Sequence, residues 1–143
     1  MCKLSILLSC LIIALHVAAN DTIIGIWENS TGKAHIEIYK MNNKYYGKIV
    51  RLLQPTYANG SPKVDKNNPD KSLQAQPIIG LIVLKDLVYN SDDDLWNNGN
   101  IYNPNDGRCY KCFIKLKDSN TLDVRGYIGC ALLGKTESMH RVR

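Results

Sequence analysis

Past residue 20 the chain is short of histidine, of long apolar runs and of clustered charge, and each shortage excludes something. Only His35 and His140 remain there, and no Gly-x-Ser-x-Gly elbow or phosphate-binding glycine loop accompanies them. A nucleophile–histidine–acid arrangement therefore has no local signal. The formal net charge is +5, yet no arginine-rich run and no basic helix with interleaved aromatics appears. Scattered lysines argue against nucleic-acid binding and allow weak attraction to an anionic surface. No apolar stretch after residue 20 reaches the roughly 20 residues of a membrane span. Internal repeats and low-complexity tracts are also lacking.

The N-terminus is different. Met1-Cys2-Lys3 opens with a positive charge, residues 4–15 are apolar apart from two serines, and Val17-Ala18-Ala19 places small residues at a cleavage site. This is the pattern of a secretory signal peptide cut after Ala19. An uncleaved anchor fits less well, because His16 ends the apolar run early. A lipoprotein cut at Leu7-Leu8-Ser9-Cys10 would leave almost no apolar segment before it. Residues 1–19 are read as the signal and residues 20–143 as a single domain, periplasmic or secreted.

The domain is rich in β-branched and aromatic residues, with turn residues every 8 to 12 positions, the spacing of an all-β barrel or sandwich. Ala34, Ile36 and Ile38 alternate with His35, Glu37 and Tyr39, a period of two. Met41-Asn42-Asn43 turns the chain into a strand over 44–53. Residues 54–76 form a long polar loop with three prolines. The apolar run over 77–84 reads as a buried strand, with a short strand at 87–89 after it. Further strands are expected over 95–102, 108–116 and 122–128, and two more over 131–137 and 138–142. About 8–10 strands in one small domain point to a closed antiparallel β-barrel, because closure removes aggregation-prone edges.

Three cysteines follow residue 20: Cys109, Cys112 and Cys130. Cys109 and Cys112 form a C-x-x-C, but the preceding Asn103-Pro104-Asn105-Asp106-Gly107 is a hairpin turn. Residues three apart in a strand point to opposite faces, so neither shared zinc nor a redox pair is expected. A two-residue turn at Ser119-Asn120 would set Cys109 opposite Cys130. A three-residue turn instead shifts the register by one and aligns Tyr110, Cys112, Ile114 and Leu116 with Leu122, Val124, Gly126 and Ile128. Matched apolar faces favour the shift. Cys112 and Cys130 are then near neighbours on one face, expected as buried thiols. No disulfide is expected, the alternatives being Cys112–Cys130 and Cys109–Cys130.

Asp65, Asn67, Asn68 and Asp70 offer oxygen ligands in one loop, but Pro69 and the missing distal glutamate break the calcium-loop pattern, so a solvated loop is expected. No metal, cofactor or catalytic group is expected. Asn29-Ser30-Thr31 and Asn59-Gly60-Ser61 fit the glycosylation pattern, which matters only in a eukaryotic secretory host. Gly25-x-Trp27 on the first strand resembles the lipocalin-type signature, in which an arginine of the last strand covers the tryptophan. Arg141 stands at that place, and stacking of this kind contributes about 0.5–2 kcal/mol.

Several motifs occur in order: Gly25-x-Trp27, Tyr46-Gly47-Lys48-Ile49, Asn68-Pro69-Asp70, Pro77-Ile78-x-Gly80-Leu81, Gly99-x-Ile101-Tyr102-Asn103-Pro104 with Asp106-Gly107, and Val124-Arg125-Gly126-Tyr127-Ile128-Gly129. Together they resemble the bacterial exported family called domain of unknown function 2147, over nearly all of the domain. The resemblance implies a lipocalin-like or fatty-acid-binding-protein-like barrel in the bacterial envelope, and no established activity. Met139 replaces the family's usual C-terminal tryptophan, and Gln74-x-Gln76 stands where basic residues are common.

Three readings of function follow. In the first, a non-enzymatic periplasmic barrel holds a small, partly apolar or anionic ligand, with Trp27, Tyr45, Tyr102, Arg125 and Tyr127 as lining or anchor. Arg125 stands out, because a charge in mid-strand must face outward, pair, or meet an anion. In the second, a filled barrel is a scaffold for protein–protein contacts through residues 54–76. The third is an enzyme of unrecognised type.

Overall fold

The computed structural model describes residues 18–143. The proposed signal segment lies almost wholly outside them. Eight strands follow a 3₁₀ turn at Ala19–Asp21: β1 (Gly25–Glu28), β2 (Ala34–Met41), β3 (Lys44–Leu52), β4 (Ile82–Asn90), β5 (Leu95–Asn103), β6 (Arg108–Asp118), β7 (Thr121–Tyr127) and β8 (Gly134–Arg141). Each pairs antiparallel with its sequence neighbour, and β8 returns to β1, so the sheet closes into an up-and-down barrel. Among these residues no helix is long and apolar enough to cross a membrane.

The turns follow residue chemistry. Asn42 and Asn43 both take positive φ, 52° and 61°, and Met41 pairs with Lys44 across them. Asparagine tolerates this region better than most residues, so the turn matches the strand twist. Between β6 and β7, Asp118 pairs with Thr121 across a two-residue turn, yet Leu116 pairs with Leu122. Lys117 is therefore a bulged residue. The turn is the short one, and the bulge restores the register that keeps Cys112, Ile114 and Leu116 opposite Gly126, Val124 and Leu122.

Two expected strands are not separate. The run over 77–84 is interrupted at Gly80, whose φ of 95° turns the chain. Only its end joins β4, which also absorbs residues 87–89. Likewise one strand, β8, replaces the two expected over 131–142, and residues 128–133 stay outside the sheet.

Period two alone does not describe β4 and β5. Asp86 and Asn98 sit in the left-handed region, φ 61° and 59°, and the ladder registers shift beside them. Each inserts one residue into its strand. As a result Leu84 and Leu87 both point inward, as do Trp96 and Gly99, although each pair is three residues apart. The inward positions are filled. A Cβ on Gly99 would meet Leu87 Cγ at 2.6 Å and Cys112 Sγ at 3.1 Å, and one on Gly47 would meet Leu84 Cδ1 at 2.9 Å. The two glycines leave room for leucines reaching across the lumen. Trp27, Ile38, Tyr45, Leu84, Leu87, Trp96, Ile114, Leu122 and Met139 complete one buried cluster.

This packing sets an expectation for Gly99→Ala. It should cost about 1–3 kcal/mol, the range for overpacking a filled core. Leu87→Ala in the same chain should recover part of that loss, because it removes the atoms the new methyl meets. Urea unfolding of the two single variants and the double variant measures the coupling.

Candidate functional site

The barrel has a closed floor. Trp27 on β1 is fully buried, donates from Nε1 to Ile23 O at 2.9 Å, and carries the Arg141 guanidinium 4.2 Å above its ring centroid. Arg141 lies opposite Trp27 in the β1–β8 ladder. Its donors reach three carbonyls of two segments: Nε to Ser119 O at 2.7 Å, Nη1 to Ile24 O at 2.9 Å, and Nη2 to Thr22 O at 2.6 Å. Burial lowers the arginine pKa, but a guanidinium stays charged in proteins. Beside this clasp the N-terminal segment is held again. Trp96 Nε1 donates to Asn20 O at 2.9 Å, and Tyr45 Oη and Lys40 Nζ both donate to Asp21 Oδ1. Burial first, and then the bond to Asp21, pushes the Tyr45 phenol far above its ordinary range. The same bond holds the Asp21 carboxyl below the usual carboxylate value.

Of the five residues expected to line a ligand site, only Trp27 and Tyr45 point into the barrel, and both belong to this packed floor. Arg125 and Tyr127 face outward, since Val124 and Gly126 take the inward positions of β7. Arg125 braces the next loop, donating from Nε and Nη2 to Ala131 O at 3.0 and 2.8 Å and from Nη1 to Thr136 Oγ1 at 3.0 Å. Tyr127 packs against Phe113 with ring centroids 6.3 Å apart. Tyr102 also faces outward, because the Asn98 bulge puts Ile101 inside. The five residues therefore do not converge on one interior site.

Tyr102 instead anchors the long connection between β3 and β4. Residues 54–76 are ordered by two isolated bridges, Thr56–Pro62 and Val64–Pro77, and by a 3₁₀ turn at Lys71–Leu73 capped by Asp70. Asp65 is 0 % exposed rather than solvated. Its carboxylate accepts from Tyr102 Oη at 2.8 Å and Asn68 Nδ2 at 2.8 Å. Asn67 Nδ2 donates to Pro104 O and Asn105 O, tying the strap to the β5–β6 turn. The expectation of a solvated loop holds for Asn67 and Asp70, which are exposed, and is corrected for Asp65, whose carboxylate is buried against the barrel wall. Among the described residues no three His, Cys, Asp or Glu side chains are placed to hold a metal ion. Burial, followed by the bond to Asp65, pushes the Tyr102 phenol up to about 12.

The cysteines separate. Cys109 is exposed and Cys112 is buried in the lumen, as opposite faces require. Cys130 is exposed, beyond the end of β7, so it does not share the interior face with Cys112; the register is the expected one, but the strand stops before it reaches Cys130. Desolvation raises the Cys112 thiol to about 12, which leaves it unreactive.

A recess opens on the outer wall. A groove of about 530 Å³ runs over β1–β3 and the C-terminal segment, lined by Ile26, His35, Glu37, Val50, Arg51, Val142 and Arg143. Along one edge His35 Nε2 meets Glu28 Oε2 at 3.0 Å and Arg51 Nη1 at 3.5 Å. Ile26, Val50 and Val142 supply apolar lining, and Arg51 and Arg143 supply two cations alongside the Glu37 carboxylate, a mixed lining in which a partly apolar anion would meet the two arginines. Sequence reasoning placed His35 and Glu37 on the outer face but missed the groove. Its third side exists only because residues 141–143 return beside β1, with Val142 N bonded to Ile26 O at 2.7 Å.

The family described as "Uncharacterized protein conserved in bacteria (DUF2147)" matches residues 25–141. Among solved structures the chain is similar to one titled "Protein HP1028 from the human pathogen Helicobacter pylori belongs to the lipocalin family". The TM-score is 0.72 at 22% identity, covering 90% of this chain and 85% of that one. That likeness concerns the fold. No curated protein matches the chain.

Arg141→Ala should lower unfolding free energy by about 2–4 kcal/mol, combining lost stacking with lost charge-assisted bonds. Arg141→Lys should recover less than half, because an ammonium has no fork to reach three carbonyls; urea denaturation reads both. A second expectation concerns alkaline pH. The folded-state pKa values of Tyr45 and Tyr102 lie above the ordinary phenol value of 10.0. Their contribution is complete below pH 10 and is lost as pH rises toward the folded values. Ultraviolet titration should show these two phenols ionising late. Tyr102→Phe should reduce the stability lost between pH 10 and 12.

Proposed function

The chain belongs to the DUF2147 family of uncharacterized bacterial proteins, and we propose that it is an exported, non-enzymatic barrel that binds a partly apolar anion on its outer wall. Export is read from the pattern of residues 1–19. Among the described residues, the bond from Trp96 Nε1 to Asn20 O holds the chain just after the inferred cut. One observation carries the binding reading: the lumen is occupied by its own side chains, while a groove of about 530 Å³ lined by three aliphatic side chains, two arginines and Glu37 opens outside. Its volume lies within the range of small-molecule sites. The sequence-level idea of a small apolar or anionic ligand is kept, and its site moves from the lumen to the wall.

A second reading, contact with a protein partner through the strap, draws on the exposed apolar side chains of Leu53, Leu73 and Ile79. It uses the same filled barrel as a scaffold.

Calorimetric titration with dodecanoate tests the groove. Val50→Ser with Arg51→Glu should weaken binding at least tenfold, since it removes one apolar contact and reverses one charge. Saturation should leave Trp27 and Trp96 emission unchanged, because both indoles lie in the floor. An unchanged affinity in the double variant, or a shifted tryptophan spectrum, overturns the proposal.

A further inference from the structure

The β7–β8 connection exposes apolar side chains at a level unusual for a soluble wall. Ile128 is 65% exposed, Leu133 74% and Leu132 89%. Alanine and glycine fill much of the remaining segment, and no acid occurs between Val124 and Thr136. The loop is not slack: Arg125 holds its carbonyls at Ala131 and Leu132 from below, so the apolar tips are presented on a braced base. An exposed aliphatic cluster of this kind marks a contact surface.

The wall beneath it is basic and polar. Tyr127 pairs with Lys111, Lys111 with Asn100, and Asn100 with Lys85, so one register row crosses four strands. Lys85 and Lys111 are both exposed. Within this row lies a polar recess of about 240 Å³ lined by Asn98, Gly99, Asn100, Lys111 and Tyr127. Apolar tips above and a cationic, amide-lined recess one row below match the order of a bilayer surface, with acyl chains on one side of a layer of phosphates. Three side chains on a short loop cannot supply the roughly 800 Å² per partner of a stable protein interface, whereas a lipid surface needs no matching shape.

We propose that this protein docks on an anionic phospholipid bilayer, with Ile128, Leu132 and Leu133 entering the interface and the Lys111–Tyr127–Asn100 recess receiving a lipid phosphate. The site lies on β5–β8, away from the β1–β3 groove, and does not depend on it.

Sedimentation with vesicles tests this, using phosphatidylcholine alone and phosphatidylcholine with one quarter phosphatidylglycerol. The protein should bind the anionic vesicles at least tenfold more tightly than the neutral ones. Leu132→Ser with Leu133→Ser should weaken that binding at least tenfold with the barrel's far-ultraviolet spectrum unchanged, and Lys111→Glu should weaken it several-fold. Added salt should weaken binding of the unaltered chain more than that of Lys111→Glu. No binding of the unaltered protein to anionic vesicles overturns the proposal. So does equal binding by the serine double variant, which would place any membrane affinity elsewhere in the chain. A dimer that the serine variant converts to monomer, without vesicle binding, assigns the loop to a second copy and also overturns it.

Discussion

One arginine holds the barrel shut. A sheet closes only if its first and last strands meet, and here the β1–β8 ladder has just two residue pairs, Trp27–Arg141 and Glu28–His140. So short a ladder is weak by itself. Arg141 reinforces it by stacking on Trp27 and donating to carbonyls of the N-terminal segment and of the β6–β7 turn. Only a planar, five-donor group can stack and reach three carbonyls at once. Gly25 makes room for it: at φ 146°, a Cβ there would lie 2.6 Å from Arg141 Nη1. The packed floor and part of the hold on the N-terminal segment rest on that contact.

The paired bulges at Asp86 and Asn98 then decide what the inside is. By shifting both strands one residue, they turn Leu87 and Trp96 inward beside Leu84 and Gly99. Leucines reach into the space above two inward glycines, so the lumen becomes a core. Binding chemistry is thereby moved to the outside, where the strands' second faces, the C-terminal return and the loops supply grooves and exposed tips. The strap obeys the same economy. Its buried carboxylate, Asp65, is satisfied by Tyr102 and Asn68, so a long polar connection packs on the wall without orphaned groups.

The closed antiparallel barrel, most of its turns and the β6–β7 register were legible because they rest on local chemistry: alternation, Asn and Gly in turns, and matched apolar faces. The clasp of Arg141 on Trp27 is a long-range contact and was expected only from the resemblance of Gly25-x-Trp27 to the lipocalin-type signature. Strand bounds, rather than the range of 8–10 strands, were misplaced where apolar runs are broken by a turn, at Gly80, or continue through a bulge, at Asp86. Asp86 and Asn98 are residue types that accept left-handed backbone, which was the available clue. Many other Asp and Asn residues in the chain carry the same clue without making a bulge, so it does not discriminate.

The amino-acid order alone determined an all-β, turn-punctuated chain whose ends must meet, since period-two patterning and turn propensities act over a few residues. Only the tertiary structure decided that the lumen is filled, that Tyr102, Arg125 and Tyr127 face outward, and that Asp65 is buried. Those outcomes depend on which strand a one-residue bulge shifts and on which distant segment covers a given face. The energies that settle them come from contacts between residues dozens of positions apart, and no local window contains both partners.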